Sequence, residues 1–367
     1  MVNEEINGRQ VVNMIILFLL GSSLVTGNSM VAEQDSWISV LIGIAMSVPV
    51  VLIYARLYTL APKQDLFDLS YQIFGKIGGA IITILFSVYT LHLGILVIKD
   101  FTEYINVVSL PETPQLANAI CIGLIAYFTV IKGIEILGRG TYFVMPFVVF
   151  VVFLLTGFTF KYMDINNLKP ILTQDIGVIF NGALSAFTFP LAETVLFINV
   201  FSVVNTDKSP ASLYLTAVLV SGFILFVLVI GSIMVLGFPL VSSLYFPSYS
   251  DVRIVDIGNF LSRIEVLVSA NYIVFGLVKV TVCLYVSCKG FAKLFNLGNF
   301  KMLAAPLTLI MVITSTILYE NTMKMFNHIQ YYKFYAPLFQ IVIPLIIMIF
   351  LQVKSKKQNA GKEESGV

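Results

Sequence analysis

The chain has 367 residues, of which 58% are hydrophobic and 11% charged, with a mean hydropathy of +0.93. Soluble domains carry roughly 25% charged residues, so a soluble globular protein is excluded. The net charge of +2 leaves no basic excess of the kind that binds nucleic acid.

A membrane helix needs about 20 apolar residues, and ten such segments with short loops account for the whole chain. They read as 10–31, 37–58, 78–100, 116–134, 140–160, 176–202, 212–237, 260–288, 302–320 and 334–353. All are too long and too apolar for strands of a soluble sheet. The fold class expected is therefore an all-α polytopic membrane protein. Its ten-helix membrane domain covers 10–353, between a short polar N-terminus at 1–9 and a polar tail at 354–367. The start carries Glu4, Glu5 and Arg9 and lacks the basic region and cleavage site of a signal peptide, so the first span is expected to stay.

The first span is interrupted by Gly21-Ser22-Ser23, with Gly27 following. A half-helix beginning after such a break points backbone N–H groups and a positive dipole end into a cavity, which suits a carboxylate ligand. Helix packing through small residues is the other use of such a stretch. The loop at 65–75, with Leu66, Phe67, Leu69, Ile73 and Phe74, reads as a short amphipathic helix on the membrane surface. In span 3, His92 with Tyr89 one turn before it is either a proton relay or a packing residue. Lys99, Asp100 and Glu103 read as the solvated end of that helix.

The sixth span breaks at Thr188-Phe189-Pro190, three residues before Glu193. Breaks in corresponding spans of the two halves, here about 10–160 and 176–353, are the sequence mark of a small-molecule site between repeats. Backbone groups freed at bilayer depth must be satisfied by protein or by a polar cavity. Glu193 is a pocket or coupling carboxylate, or else half of a structural ion pair. The segment 238–259 is the longest external connection, read either as an ordered loop at the interface or as a plain linker. In span 8, Glu265, Ser269, Tyr272, Gly276, Lys279 and Cys283 recur at spacings of three and four and share one face. Lys279 on that face replaces a coupling cation between helices 1 and 8, forms a structural salt bridge, or snorkels to the interface.

With the N-terminus inside, 14 of the 22 basic residues fall on the cytoplasmic side and 7 outside, leaving Lys279 within the membrane. Both termini are then cytoplasmic. Cys121, Cys283 and Cys288 lie in or at the ends of spans and read as free thiols. No P-loop, HExxH or GxSxG motif occurs, and only His92 and His328 are present. No enzyme, cofactor or metal set is therefore expected.

The order of several short motifs resembles one family, the germinant permease or B subunit of the nutrient-germinant receptors of endospore-forming bacteria. That family lies within the amino acid/polyamine/organocation transporter superfamily. Asp35-Ser36-Trp37 resembles its Asp-x-Trp at the start of span 2, and Leu110-Pro111-Glu112-Thr113-Pro114 its Leu-Pro-x-Thr-Pro loop. Lys132-Gly133-Ile134-Glu135 followed by Arg139 resembles its Gly-x-Glu…Arg loop. Phe189-Pro190-Leu191-Ala192-Glu193 resembles its Pro-Phe-Gly-Glu but departs at the two middle positions, which tightens the break. Phe246-Pro247 through Arg253, then Phe260, Arg263 and Glu265, resembles its outer loop, and Lys279 falls on its span 8 lysine.

The resemblance implies a five-plus-five inverted-repeat fold with discontinuous helices 1 and 6. It implies a small germinant, such as an amino acid, in a central cavity. It also implies sibling A-type and C-type (lipoprotein) subunits in the spore inner membrane. The function expected is ligand sensing that triggers germination; the alternative is secondary amino-acid transport coupled to protons or sodium. On either reading Gly21, Ser22 and Ser23 offer backbone donors to the ligand, and Thr188, Phe189 and Glu193 line the opposite wall. Lys279 and His92 are the intramembrane charge or coupling candidates.

Overall fold

The computed structural model describes residues 4–21, 30–253, 265–320 and 322–364. Nearly all of them are helical. Helix α1 (Gly8–Leu20) begins with a capping box, in which Asn7 accepts from Gln10 N–H and the Gln10 side chain accepts from Asn7 N–H. Nine of its 13 residues are buried, so it is a central helix rather than one facing lipid. Just before it, β1 (Ile6–Asn7) pairs in parallel with β2 (Val204–Asn205).

Helix α2 (Ser36–Leu60) carries Pro49 inside it. Helix α3 (Leu66–Tyr104) contains one non-helical residue, Gly75, at φ 68°. No atom lies within 4 Å of where its Cβ would be, so glycine is needed there for its backbone angle and not for space. The helical stretch before that turn is the amphipathic segment expected from the sequence, with Leu66, Phe67 and Leu69 buried. Past Tyr104, α3 continues into a π-helical turn (Ile105–Ser109).

Helices α4 (Gln115–Lys132) and α5 (Ile134–Thr159) meet at Gly133, whose φ of 107° lies in the left-handed region. Helix α6 (Ile176–Thr188) breaks as expected. A 3₁₀ segment (Leu191–Leu196) and the short α7 (Phe197–Phe201) complete that span. Helix α8 (Pro210–Leu236) is followed by α9 (Phe238–Val241) and α10 (Pro247–Arg253), so the external connection holds ordered helix. Helix α11 (Glu265–Leu294) runs about two turns beyond the expected end of span 8. Helix α12 (Ala304–Ile317), α13 (Thr322–Ile329) and α14 (Tyr332–Pro337) come next, then a π-helical turn (Leu338–Val342) and α15 (Ile343–Glu364).

Among the described residues nine helical stretches are long and apolar enough to cross a membrane, and α1 is a shorter apolar helix. Each of the ten segments read from the sequence holds one of them among its described residues. Helix α1 packs against α8, α5 and α11; α11 lies along α3; α2 lies against α6 and α8. The outer surface is apolar. On α5, Phe143, Phe147, Phe150 and Phe153 recur at spacings of three and four and are exposed, Phe143 by 79%. Such a stripe is costly in water and comfortable in lipid. Of the α11 stripe, Tyr272, Lys279 and Cys283 are buried toward the interior, and Ser269 meets Tyr104 Oη of α3 at 2.8 Å.

Candidate functional site

The break in the sixth span leaves carbonyls without helical partners, and two side chains answer them. Helix α6 ends at Thr188, and Phe189 is extended at φ −138°. Gln340 Nε2 donates to the Thr188 carbonyl at 2.8 Å and to Tyr89 Oη at 3.1 Å. Tyr54 Oη donates to the Gln340 carbonyl at 2.5 Å and reaches the Ala192 carbonyl at 3.3 Å. Tyr89 and Tyr332 hydroxyls lie 2.7 Å apart. The break is thus held by protein groups, which meets the requirement for irregular backbone at membrane depth.

The 3₁₀ segment after the break turns Glu193 inward. Its Oε2 lies 2.6 Å from Lys279 Nζ of α11, and both side chains are 0% exposed. The ammonium also sits over two aromatic faces, Phe18 of α1 at 5.1 Å and Phe189 at 4.6 Å from the ring centroids. At the end of α1, a Cβ on Gly21 would stand 3.2 Å from Lys279 Cδ and 3.2 Å from the Phe275 carbonyl oxygen. The lysine stem therefore runs alongside Gly21, and three elements meet there: the end of α1, the break in the sixth span, and α11. Glu193 Oε1 has no hydrogen-bond partner among the described residues. A carboxylate buried with a free oxygen is poised to accept another donor.

Of the expected site residues, Gly21, Phe189, Glu193 and Lys279 come together. Thr188 contributes through its carbonyl, since its hydroxyl turns back to the Leu184 carbonyl at 2.8 Å. Ser22 and Ser23 lie outside the described residues. His92 stands apart from the ion pair; its Nδ1 is 3.4 Å from Tyr335 Oη, and the two rings meet edge-on at 5.9 Å.

One expectation is overturned. Lys99, Asp100 and Glu103 are not a solvated helix end: Lys99 is 2% exposed and Asp100 3%. Helix α3 continues past them, and the start of α4 packs over them. Lys99 Nζ meets Glu103 Oε1 at 2.9 Å and Gln115 Oε1 at 3.1 Å, while Gln115 Nε2 donates to Thr102 Oγ1 and Glu103 Oε1. Asp100 Oδ1 is buried without a hydrogen-bond partner among the described residues, within electrostatic reach of Lys279 and Glu193. The sequence carries only a weak signal for it, since 101–108 mixes Phe101, Tyr104, Ile105, Val107 and Val108 with Thr102, Glu103 and Asn106. Gln340 and Tyr54 were also missed. Gln340 is an amide near the middle of the tenth span, among apolar neighbours.

Asp35, in the turn before α2, is fully buried. Its carboxylate accepts from the N–H groups of Leu172 at 2.8 Å, Thr173 at 2.9 Å and Gln174 at 3.2 Å. It pins the connection between α5 and α6 to the start of α2.

Comparison with known proteins then decides the family. The spore permease family, described as spore germination protein, matches residues 5–325. The chain belongs to this family. Spore germination protein KB of Bacillus subtilis (strain 168) is 28% identical over 373 residues, covering 99% of each chain. The putative spore germination protein YfkT of the same organism is 28% identical over 337 residues, covering 90% of each. Spore germination protein XB of Bacillus anthracis is 23% identical over 287 residues, 74% of this chain and 78% of that one.

Two solved structures share the fold. MhsT in complex with L-phenylalanine superposes with a TM-score of 0.70 at 13% identity, over 95% of this chain and 89% of that one. Mhp1, a nucleobase-cation-symport-1 family transporter in a closed conformation with bromovinylhydantoin bound, gives 0.71 at 11% identity, over 93% and 78%. The protein is an all-α, multi-pass membrane protein of the spore germination family with a transporter fold, and neither family nor fold is that of an enzyme.

Proposed function

We propose that this spore germination protein is the ligand-sensing membrane subunit of a nutrient germinant receptor, and that the Lys279–Glu193 pair is the element its germinant opens. The observation that carries this reading is the pair itself, buried where the end of α1 meets the break in the sixth span, with Glu193 Oε1 still able to accept. An α-amino acid carries the same two charges. Its ammonium can take Glu193, and its carboxylate can take Lys279 or the backbone N–H groups at Ser22 and Ser23. Exchange of an internal pair for a ligand of matching charges gives the ligand different affinities for the paired and opened states, as any ligand-driven shift requires. The shift then passes to sibling A-type and C-type subunits in the spore inner membrane. That MhsT holds L-phenylalanine within the same fold supports an amino acid as the ligand class.

The orientation proposed has both termini cytoplasmic and the turn before α2 outside. A membrane-impermeant thiol reagent applied to intact cells should modify Gln34→Cys; modification from the cytoplasmic side alone would reverse the topology.

The site is tested by germination of spores carrying single variants, over a range of nutrient concentrations. Ser22→Leu and Thr188→Leu should raise the concentration for half-maximal response at normal protein abundance. Phe143→Leu, on the lipid face, should not. Unchanged concentration dependence in both site variants would remove the ligand from the breaks. The transporter fold also favours a second reading, a proton- or sodium-coupled amino-acid carrier. Uptake of labelled amino acid into vesicles by this chain alone would decide for it.

A further inference from the structure

A second cavity lies away from the ion pair, between α5, α8, α10 and α11, with a volume of about 80 Å³. By the share of one water-sized probe, such a space holds several non-hydrogen atoms. Three polar atoms around it are buried without hydrogen-bond partners among the described residues: Asp251 Oδ1, Asn271 Oδ1 and Tyr272 Oη. Asp251 is 7% exposed, Asn271 4% and Tyr272 1%. The other Asp251 oxygen accepts from Ser232 Oγ of α8. Tyr272 is held from behind by stacking on Phe101, with centroids 4.0 Å apart. Leaving a buried polar group unpaired is costly, so three around one space is a pattern that a ligand would relieve.

The chemistry of these atoms selects the ligand. Two are pure acceptors and the third is a hydroxyl that can accept, so the missing partner is a donor. Among the described residues no lysine, arginine or histidine lines the cavity, so an anion, or the carboxylate of an amino acid, finds no counter-charge. The remaining wall is mostly apolar, with Leu155, Val227 and Phe275 on three different helices, and carries the neutral hydroxyl residues Thr156, Thr159 and Ser248. A hard metal cation wants about six oxygen ligands, carboxylates prominent among them, whereas Asp251 is the one carboxylate lining this cavity among the described residues. A short alkyl chain fits that wall, and its ammonium supplies three donors. We propose that this cavity is a second ligand site, separate from the Lys279–Glu193 pair, which takes a small alkylammonium ion with its ammonium on Asp251 and Asn271.

Burial pushes the Asp251 carboxyl up to about 7, against the opposing Ser232 hydrogen bond. Tyr272 on α11 is the titratable side chain that shares the cavity, with Asp100 of α3 within electrostatic reach of it. On α10, Arg253 lies over the Tyr249 ring at 5.9 Å and does not line the cavity; α5 and α8 place no titratable group in it. A cation binds the ionised carboxylate, so affinity rises as pH climbs through 7 and levels above it. The ligand's ammonium, like that of lysine, stays protonated throughout.

The test uses the purified full-length protein in lipid nanodiscs and n-propylammonium chloride as probe, read by thermal unfolding and calorimetry. Propylammonium should raise the Tm saturably, since binding to the folded state alone stabilises it. It should bind about tenfold more weakly at pH 6 than at pH 8, the ratio of ionised fractions for a group titrating at 7. Asp251→Asn should abolish the effect. A Cβ at Gly231, on the cavity wall, meets only Met163 Cε at 3.5 Å. Gly231→Leu therefore fills the space while Asp251 stays, and should also abolish binding, which keeps the proposal testable if Asp251→Asn does not fold. Wild-type affinity in either variant would overturn the site. An equal saturable shift with n-propanol or with sodium chloride would overturn the alkylammonium assignment.

Discussion

Two buried carboxylates solve the same problem in different ways. Asp35 is satisfied by three backbone N–H groups of the connection between α5 and α6. Glu193 is satisfied by side chains, with Lys279 as its ion-pair partner and the Tyr332 hydroxyl close by. Backbone donors come with the fold and cannot leave without unfolding the loop. A lysine on four rotatable bonds can leave, provided another cation takes its place. The first arrangement ties two connections together, whereas the second can respond to a ligand. Both acids are fully buried, so burial alone does not separate a structural carboxylate from a functional one; the nature of the partner does.

The largest effect that tests this contrast is at the pair. Lys279→Ala or Glu193→Ala leaves an uncompensated buried charge, and each should lower stability by about 3–5 kcal/mol. The double variant should lose far less than the sum, because neither member of the pair is left as an orphan charge. Chemical denaturation of the purified protein reads both, and additive losses would mean that the two residues do not act as a pair. The next effect is at Asp35. Asp35→Asn keeps one acceptor but loses the charge on hydrogen bonds, at a cost of about 1–3 kcal/mol. It should reduce protein abundance in spores while leaving the half-maximal nutrient concentration unchanged. A shifted concentration with normal abundance would erase the distinction between the two acids.

A smaller effect concerns an acid at the other end of the same spectrum. Burial by itself would raise the Asp65 carboxyl, but Lys289 at 2.8 Å, the Asp68 N–H and the more distant Lys293 outweigh it and hold it below the usual range. A carboxyl lowered on folding contributes stability above its unfolded value, and that contribution fades as pH falls through the folded one. The Tm difference between wild type and Asp65→Asn should therefore be constant near neutrality and begin to shrink only as pH falls toward about 3.8, fading further below it as the lowered carboxyl is itself protonated. Smallest is Lys293→Ala, which removes a partly exposed ion pair with Asp68. Exposed pairs are worth about 0–1 kcal/mol, and neither Tm nor response should move measurably.

Much of this protein is legible in its sequence, because hydrophobicity, breaks and periodicity are local properties. The ten segments follow from runs of apolar residues, and the interruption at Thr188-Phe189-Pro190 from residues that cannot continue a helix there. The interior face of α11 follows from spacings of three and four, which place Tyr272, Lys279 and Cys283 together on any helix. The inward placement of Glu193 follows from the cost of exposing an acid to lipid. What tertiary structure alone decided is which groups meet. Glu193 and Lys279 are 86 residues apart, and composition does not distinguish a pair from two separate polar residues. The sequence names no partner for Asp35, which is found only when the connection between α5 and α6 folds over it. Lys99 and Asp100 read as a helix end until α4 covers them. Gln340 reads as an isolated amide until the break in the sixth span presents it with a carbonyl. Each of these depends on a partner brought from a distant part of the chain, and only packing determines that partner.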